Sequence, residues 1–456
     1  MSKVLITFAG GVGSVTGANF LLQVDDTKIL IDCGLIQGSR EADLKNREPF
    51  PYEPRDIDYL FVTHSHMDHI GRIPKLVREG FRGEIYSTPV TKEIATFMFA
   101  DALSVMRIHE KERDLAPLYE QQDVDQALSQ WKEIPYHESK TFGGFSVFAR
   151  DAGHILGSAM LEFTLDIGGA QKKLVFTGDL GNSPSLLLRD TEKITDADYL
   201  VMESVYGDRN HENKDEREEK FAQIVKETIA RNGTLVIPAF SLERTQMILY
   251  LLNNLMEDGH VPEVPVYLDS PLAIKITEVY GRVSKHFNDE VKKEILGGDD
   301  IFDFPTLKRT MKREESEKIA HIPGAKIVIA GSGMSEGGRV AYHEADFLPD
   351  PNNTLLLVGY QGVGTLGRKL IEGLKSVKIH KKEIKVRARI EEILGFSSHK
   401  DMDHLIEFVE HTKGTVKKVF VCMGETKSST FLAQRLRDYV GVNAVVPEEG
   451  DVIELN

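Results

Sequence analysis

Short apolar runs and glycine-rich turns dominate the first part of the chain. The runs Lys3–Phe8, Tyr59–Val62 and Phe145–Arg150 are short and bounded by turn residues, which predicts strands buried in a sheet. The segment 100–131 is instead charged and helical in pattern, with an interruption near Pro117. The pattern therefore predicts a protein that mixes strands and helices.

A second pattern occupies the middle of the chain, where strands and helices alternate. Helical segments are predicted at 216–231 and 241–256, and strands at 233–238, 264–268, 326–330 and 354–358. Strands that alternate with helices of about 10–15 residues predict a parallel, doubly wound sheet.

Ligands of a doubly wound sheet bind beyond the carboxyl ends of its strands. Ser241 and Arg244 follow one predicted strand of the middle segment, and Ser332 and Gly333 follow another. Small residues and backbone N–H groups suit a phosphate backbone, and Arg244 is a candidate charged clamp. The alternative, that Arg244 is a surface residue at a helix start, is left open.

Length and composition indicate a soluble protein of two or three domains. The chain has 456 residues, of which 41% are hydrophobic and 28% charged. No apolar run approaches the ~18 residues of a membrane span, and the N-terminus does not have the features of a signal peptide. Cys33 and Cys422 give no disulfide framework. We therefore expect a cytoplasmic protein without a membrane partner.

The net charge of −15 argues weakly against a nucleic-acid partner, because phosphate binding usually leaves a basic footprint. That argument concerns only the average over the surface. A cleft that holds divalent cations and a few arginines is locally positive within an acidic protein. Net charge alone does not decide the substrate.

The strongest chemical signal follows the apolar run Tyr59–Val62. His64, His66, Asp68 and His69 lie within six positions, where a strand end would turn into a helix. Imidazole suits zinc, and a carboxylate can ligate a second ion or orient water. A surface loop that happens to be rich in histidine is the alternative, but the H-x-H-x-D-H spacing favours a metal site.

Further candidate ligands stand where later strands are predicted to end. His154 follows the strand at 145–150, Asp179 follows Leu174–Thr177, and Glu203 ends the run that begins at Tyr199. Asp32 also ends a strand, and we expect it to hydrogen-bond the histidine loop rather than a metal.

These motifs resemble the metallo-β-lactamase superfamily. The resemblance rests on H-S-H-M-D-H, the later histidine and the T-G-D that ends at Asp179. Met202–Gly207 (MESVYG) and Gly395–Asp401 (GFSSHKD) resemble the extra motifs of its β-CASP branch of RNA-processing nucleases, which includes ribonuclease J. The resemblance extends from Ala9 to the C-terminus.

The resemblance implies an α/β fold, an αββα sandwich with an inserted, doubly wound α/β cap domain. The expected boundaries are 1–205 for the first part of the sandwich, 206–384 for the inserted β-CASP domain and 385–456 for the return. It also implies two Zn²⁺ ions held by His64, His66, Asp68, His69, His154 and Asp179, with Asp179 bridging them.

The implied activity is phosphodiester hydrolysis of single-stranded RNA by a metal-activated hydroxide, as an endoribonuclease with or without 5′-exonuclease activity. Asp68 would orient the hydroxide, and His399, held by Glu203, would protonate the departing ribose oxygen. These three residues are the implied catalytic groups.

One residue departs from the family pattern. Met423 stands where the family has a histidine that ligates the second zinc, and a thioether is a poor zinc ligand. Cys422 would be a better ligand, but alternation along a strand is expected to point it to the opposite face. We therefore expect the second zinc site to be weakened.

Two other functions are compatible with the sequence. The chain could be a catalytically weakened RNA-binding or regulatory member of the same fold, because of Met423. It could also be a small-molecule metallohydrolase, although the inserted segment and His399 argue against that. The sequence leaves open whether the chain forms a homodimer.

Overall fold

The computed structural model describes residues 3–38, 40–113, 115–212, 214–359, 361–362 and 364–456. The chain divides into two compact units. The discontinuous unit comprises Met1–Asn210 and His399–Asn456, and the inserted unit comprises His211–Ser398. Among the described helices, none has the length and apolar character that crossing a membrane requires.

The first part of the discontinuous unit contains the following strands: β1 (Val4–Gly10), β2 (Asn19–Val24), β3 (Thr27–Ile31), β4 (Tyr59–Phe61), β5 (Glu84–Ser87), β6 (Trp131–Glu133), β7 (Ser139–Phe142), β8 (Phe145–Asp151), β9 (Ala159–Ile167), β10 (Ala170–Phe176) and β11 (Tyr199–Met202). Its helices are α1 (Arg40–Lys45), α2 (Met67–Ile70), α3 (Ile73–Arg78), α4 (Pro89–Arg113) and α5 (Gln121–Ser129).

The inserted unit contains β12 (Thr234–Pro238), β13 (Val266–Asp269), β14 (Leu307–Arg309), β15 (Lys326–Ala330), β16 (Thr354–Val358), β17 (Ser376–Ile379), β18 (Lys382–Lys385) and β19 (Arg389–Ile393). Its helices are α6 (Lys214–Ala230), α7 (Arg244–Glu257), α8 (Pro271–Arg282), α9 (Asp289–Leu296), α10 (Arg313–Ile319), α11 (Val340–Phe347) and α12 (Leu366–Ile371). The return adds α13 (Met402–Glu410), β20 (Lys418–Val421), α14 (Thr426–Arg435), β21 (Ala444–Val445) and β22 (Val452–Glu454).

The discontinuous unit is a sandwich of two sheets, ordered β22-β1-β2-β3-β4-β5-β6 and β21-β20-β11-β10-β9-β8-β7. Aromatic rings from both sheets meet in its centre, where Phe61 lies 5.2 Å from Phe163 and Phe8 lies 5.3 Å from Phe420 between ring centroids. Helices α3–α5 pack on the outer face of the first sheet, and α13 and α14 on that of the second. The predicted αββα sandwich is confirmed.

The inserted unit has a parallel sheet in the order β14-β13-β15-β12-β16-β19, beside a separate β17–β18 hairpin. The predicted doubly wound arrangement is therefore present. The return expected at residue 385 starts later, because β19 pairs with β16 of the inserted sheet. The sequence identifies this strand but not its partner, since most of its residues lie at a half-exposed edge.

Candidate metal centre

The predicted ligands lie at one edge of the sandwich because of strand direction. Strands β8 and β10 both run antiparallel to β9 and hence in the same direction, while β10 and β11 are parallel. Residues that follow these strands, His154, Asp179 and Glu203, therefore share an edge. His64 and His66 follow β4, and His66 is the residue that precedes helix α2.

Three imidazoles and one carboxylate converge in the first ligand group, whose members are His64, His66, His154 and Asp179. The facing nitrogens of His64 and His66 are 3.1 Å apart, and those of His66 and His154 are 3.3 Å apart. Asp179 Oδ2 lies 3.4 Å from His64 Nε2 and 3.5 Å from His154 Nε2. Nitrogens and a carboxylate oxygen aimed at one point form a typical tetrahedral donor set.

The second group shares Asp179 with the first and adds Asp68 and His69. His69 Nε2 lies 3.3 Å from Asp179 Oδ1, and both atoms are buried without a hydrogen-bond partner among the described residues. Buried polar atoms are normally satisfied, so two orphaned donor atoms side by side fit a cation. The donor sets of both groups thus fit a divalent metal.

Asp32 fixes the orientation of the second group. Its carboxylate lies 2.7 Å from His69 Nδ1 and accepts from the Thr63 amide and hydroxyl, each at 2.8 Å. The prediction that Asp32 holds the histidine loop is confirmed. Sequence reasoning missed Thr63 and Gly178, which meet at the T-G-D turn. A Cβ on Gly178, whose φ is +54°, would lie 2.7 Å from Thr63 Cβ.

Burial and the repulsion between neighbouring imidazole rings keep the histidines of the first ligand group in the neutral form that binds a cation. Desolvation, together with the neighbouring rings, holds the pKa of His66 and of His154 well below the usual value, so both rings are neutral. Burial alone would raise the pKa of Asp179, but His69 and His64 hold it well below its ordinary range. Neutral imidazoles and an ionised carboxylate are the forms that bind metal.

Glu203 and His399 form a pair beside the ligands. Glu203 Oε1 lies 3.2 Å from His399 Nδ1 and accepts from the Leu180 amide at 2.6 Å, while Asp179 Oδ2 lies 4.0 Å from His399 Nδ1. Burial would lower the pKa of His399, but the Glu203 carboxylate outweighs it and raises that pKa to about 9. This direction favours the protonated ring that a general acid needs.

Met423 and Cys422 both face the core between the sheets. Strand β20 ends at Val421, and Met423 has φ +44°, so the alternation expected to separate the two side chains has already ceased. Both line one small cavity together with His69 and Glu203. The expectation that Cys422 points to the opposite face is wrong. Burial raises the pKa of its thiol far above the usual value, which disfavours the thiolate that binds metal.

The predicted substrate contacts lie in loops after β12 and β15, which are neighbours in the inserted sheet. Ser241 Oγ is 3.2 Å from Ser270 Oγ, and Ser332 Oγ bonds the backbone of Glu336. A Cβ on Gly333 would lie 2.7 Å from the ring of Phe240.

Arg244 does not have the exposed position that a phosphate clamp needs. The residue is 8% exposed, and its guanidinium donates to the carbonyl of Val358 at the end of β16. A side chain on Gly359 would collide with that guanidinium. Arg244 thus holds the strand end of its own unit through this hydrogen bond.

Three stretches of the chain match family models. Residues 21–180 match the metallo-beta-lactamase superfamily domain, 245–370 the Beta-Casp domain, and 383–447 the Zn-dependent metallo-hydrolase RNA specificity domain. Ribonuclease TTHA0252 of Thermus thermophilus is 37% identical over 402 residues, which is 88% of this chain and 89% of that protein. The chain belongs to the β-CASP branch of the metallo-β-lactamase superfamily.

Other relatives of this β-CASP protein agree. Transcription termination factor FttA of Methanosarcina mazei is 33% identical, with 94% of this chain and 68% of the factor covered. A crystal structure of a protein of unknown function from Enterococcus faecalis aligns over 99% of this chain and 100% of its own length, with a TM-score of 0.55 and 14% identity. That likeness concerns the fold alone. The family implies binding of a divalent metal, which the two ligand groups fit.

Proposed function

We propose that this chain is a zinc-dependent ribonuclease that hydrolyses phosphodiester bonds in single-stranded RNA. The observation that carries the proposal is the position of the Glu203–His399 pair, a proton donor held within 4.0 Å of the carboxylate shared by both ligand groups. The relative named Ribonuclease TTHA0252 and the match to an RNA specificity domain support RNA as the substrate.

Zinc is the proposed metal because imidazole and carboxylate donors in small, buried sets suit it. His64, His66 and His154 would hold one ion and Asp68 and His69 the other, with Asp179 shared. A bound metal pair supplies Lewis acidity that lowers the pKa of water and offsets charge on the phosphate.

The residues of the chain complete the proposed reaction. With His399 Nδ1 donating to Glu203, Nε2 is the nitrogen that would pass a proton to the departing ribose oxygen. Asp68, on the first turn of α2, would orient the attacking water. Glu203 keeps the imidazole oriented and protonated.

The test is cleavage of end-labelled single-stranded RNA with added zinc. His399→Ala should reduce kcat by about 10²–10⁴-fold, the usual contribution of a general acid, while metal content stays near the wild-type value. Equal loss of metal in this variant would assign His399 to ligation instead. The fragment pattern of the wild type separates internal cleavage from cleavage at a 5′ end.

A second candidate function is RNA binding with weakened hydrolysis. It is favoured by Met423, which leaves the second ligand group with Asp68, His69 and the shared Asp179 among the described residues. Specific RNA binding without cleavage under any divalent metal would support it.

We also infer a reducing compartment such as the cytoplasm, since both cysteines are free and buried.

A further inference from the structure

The inserted unit contains a second pocket that the proposed chemistry does not use. Its volume is about 440 Å³, and it lies between α11, α12 and the β17–β18 hairpin. Its floor is apolar and its rim is basic, with Lys369, Lys378 and His380 as the basic residues. We call it the hairpin pocket.

An exposed aromatic stack stands beside the pocket. The rings of Tyr342 and His380 are 4.2 Å apart between centroids and inclined by 28°, and Tyr342 is 49% exposed. The Arg313 guanidinium, which also pairs with Glu317, lies 5.8 Å from the Tyr342 ring. Exposed rings flanked by cations are the platforms on which bases of single-stranded nucleic acids stack.

The hairpin concentrates positive charge in an acidic chain. The hairpin itself, residues 376–385, contains four lysines and one acidic residue, Glu383, whereas the whole chain carries −15. Within the described ranges, Lys369 and Lys378 form no ion pair. Glu336 lines the pocket as well, and Glu383 accepts from Ser376 Oγ at 2.7 Å. The local balance remains basic.

The turn of the hairpin places its side chains at a conformational cost. His380 and Lys381 have φ of +48° and +65°, the signs of a two-residue turn that favours Asn-Gly. Residues other than glycine and asparagine seldom adopt this conformation, and each costs about 1–2 kcal/mol. A function for these two side chains accounts for their presence.

We propose that the hairpin pocket binds single-stranded RNA, as an anchoring site for the substrate. A base stacks on the exposed Tyr342–His380 pair, an adjoining base occupies the apolar floor, and Lys369 and Lys378 contact phosphates. The choice of RNA rests on the proposed function, whereas the geometry itself calls for an anionic, stacking ligand.

The test measures binding of a fluorescent single-stranded RNA of about 16 nucleotides to the full chain in chelator, which suppresses cleavage. The double variant Lys369→Ala/Lys378→Ala should bind about tenfold more weakly and reduce the salt slope by about 1.4, for two lost phosphate contacts. The matched control is Lys226→Ala/Lys293→Ala, two exposed lysines on α6 and α9 of the same unit. The control should change affinity less than twofold.

Tyr342 provides a second, uncharged test. Tyr342→Ala should weaken binding fivefold or more, and Tyr342→Phe should retain it, because stacking needs only the ring. RNA containing 4-thiouridine should crosslink to the peptide that holds Tyr342 or His380. Affinity equal to that of the control variants, or crosslinks confined to other peptides, would overturn the proposal.

The two proposals fail in different ways. If the proposed ribonuclease activity is absent, the pocket variants still lose RNA affinity in chelator. If the pocket is not a binding site, cleavage of long RNA proceeds in these variants with unchanged KM. Where both hold, the variants raise KM for long RNA and leave kcat for a dinucleotide substrate unchanged.

Discussion

Two buried aspartates, one in each unit, stand at the carboxyl ends of parallel strands and have opposite surroundings. Asp269 ends β13, and four side chains donate to its two oxygens. Asp179 follows β10, and its Oδ1 faces an equally unpartnered nitrogen of His69 across 3.3 Å. The carboxylate oxygens of Asp269 are thus satisfied by protein donors, whereas those of Asp179 would be satisfied by a bound cation.

The partners of Asp269 explain its role in the fold. Thr310 Oγ1, Arg339 Nη1 and His343 Nε2 each lie 2.6 Å from it, and Ser316 Oγ lies at 2.5 Å. Burial would raise the pKa of Asp269, but these hydrogen bonds lower it to about 2. A buried, fully bonded carboxylate of this kind links β13 to α10 and α11, so its contribution is to the stability of the inserted unit.

The largest expected effect is that of Asp179→Ala. Both ligand groups lose their shared oxygen, so metal content should fall to near zero and RNA cleavage should drop by at least about 10³-fold. Metal analysis of the purified protein and cleavage of labelled RNA measure the two losses.

The same variant should remain folded. In chelator its melting temperature should fall less than that of Asp269→Ala, because His69 keeps Asp32 as a partner at 2.7 Å. If Asp179→Ala unfolds the protein without losing metal first, Asp179 is structural and the comparison breaks.

The next effect is that of Asp269→Ala, on stability. Removing one partner of a buried ion pair costs about 3–5 kcal/mol, since Arg339 keeps its position without a counter-charge and His343 Nε2 loses its hydrogen-bond partner. Denaturant unfolding should show this loss, and hydrogen exchange should localise it to α10 and α11. Metal content should stay at the wild-type value, and a change in it would contradict the structural role.

How far the sequence predicts these two sites follows from how their partners are spaced. His64, His66, Asp68 and His69 lie in one loop, so side-chain type and strand periodicity suffice to predict the metal centre. The partners of Asp269 lie 41–74 positions away along the chain, in elements with no shared motif. Such a site exists only once the sheet has formed.

Periodicity along the sequence also fails to predict the geometry at the end of a strand and at the edge of a sheet. Alternation predicts opposite faces for Cys422 and Met423, but β20 ends before them and the positive φ of Met423 turns its side chain inward. The sequence predicts a strand at β19, but it does not predict that this strand pairs with β16, because that pairing depends on which strand forms the edge of the sheet.

A third buried acid sharpens the comparison with a smaller effect. Glu344 on α11 is fully buried, and burial raises its pKa to about 8, although the hydroxyl of Ser335 acts in the opposite direction. Because the folded pKa exceeds the unfolded value, stability is full below about pH 4.5 and is lost as pH rises towards 8.

The variant Glu344→Gln cannot ionise at this position. Its free energy of unfolding should therefore be about 2–5 kcal/mol higher than that of the wild type at pH 8, and equal to that of the wild type near pH 4.5. Denaturant unfolding at the two pH values measures the difference. Asp346→Asn, an exposed change on the same helix, is the control and should show none. A gain that is the same at both pH values would mean that ionisation of Glu344 is not its cause.

The smallest expected effect tests how complete the second ligand group is. Met423 lines the same cavity as His69, and its Sδ lies against Gly11, which has φ +70° and no side chain to obstruct it. Met423→His introduces a nitrogen donor there, which should raise the affinity for the second zinc by about tenfold, or ~1.4 kcal/mol. Calorimetric zinc titration and metal analysis measure this, with the volume-conserving Met423→Leu as control.

Two zinc ions per chain only in the histidine variant would establish that Met423 weakens the site and would favour the binding function for the natural chain. Two ions in both Met423→His and Met423→Leu would show instead that Asp68, His69 and Asp179 are sufficient to hold the second ion, as an active nuclease requires.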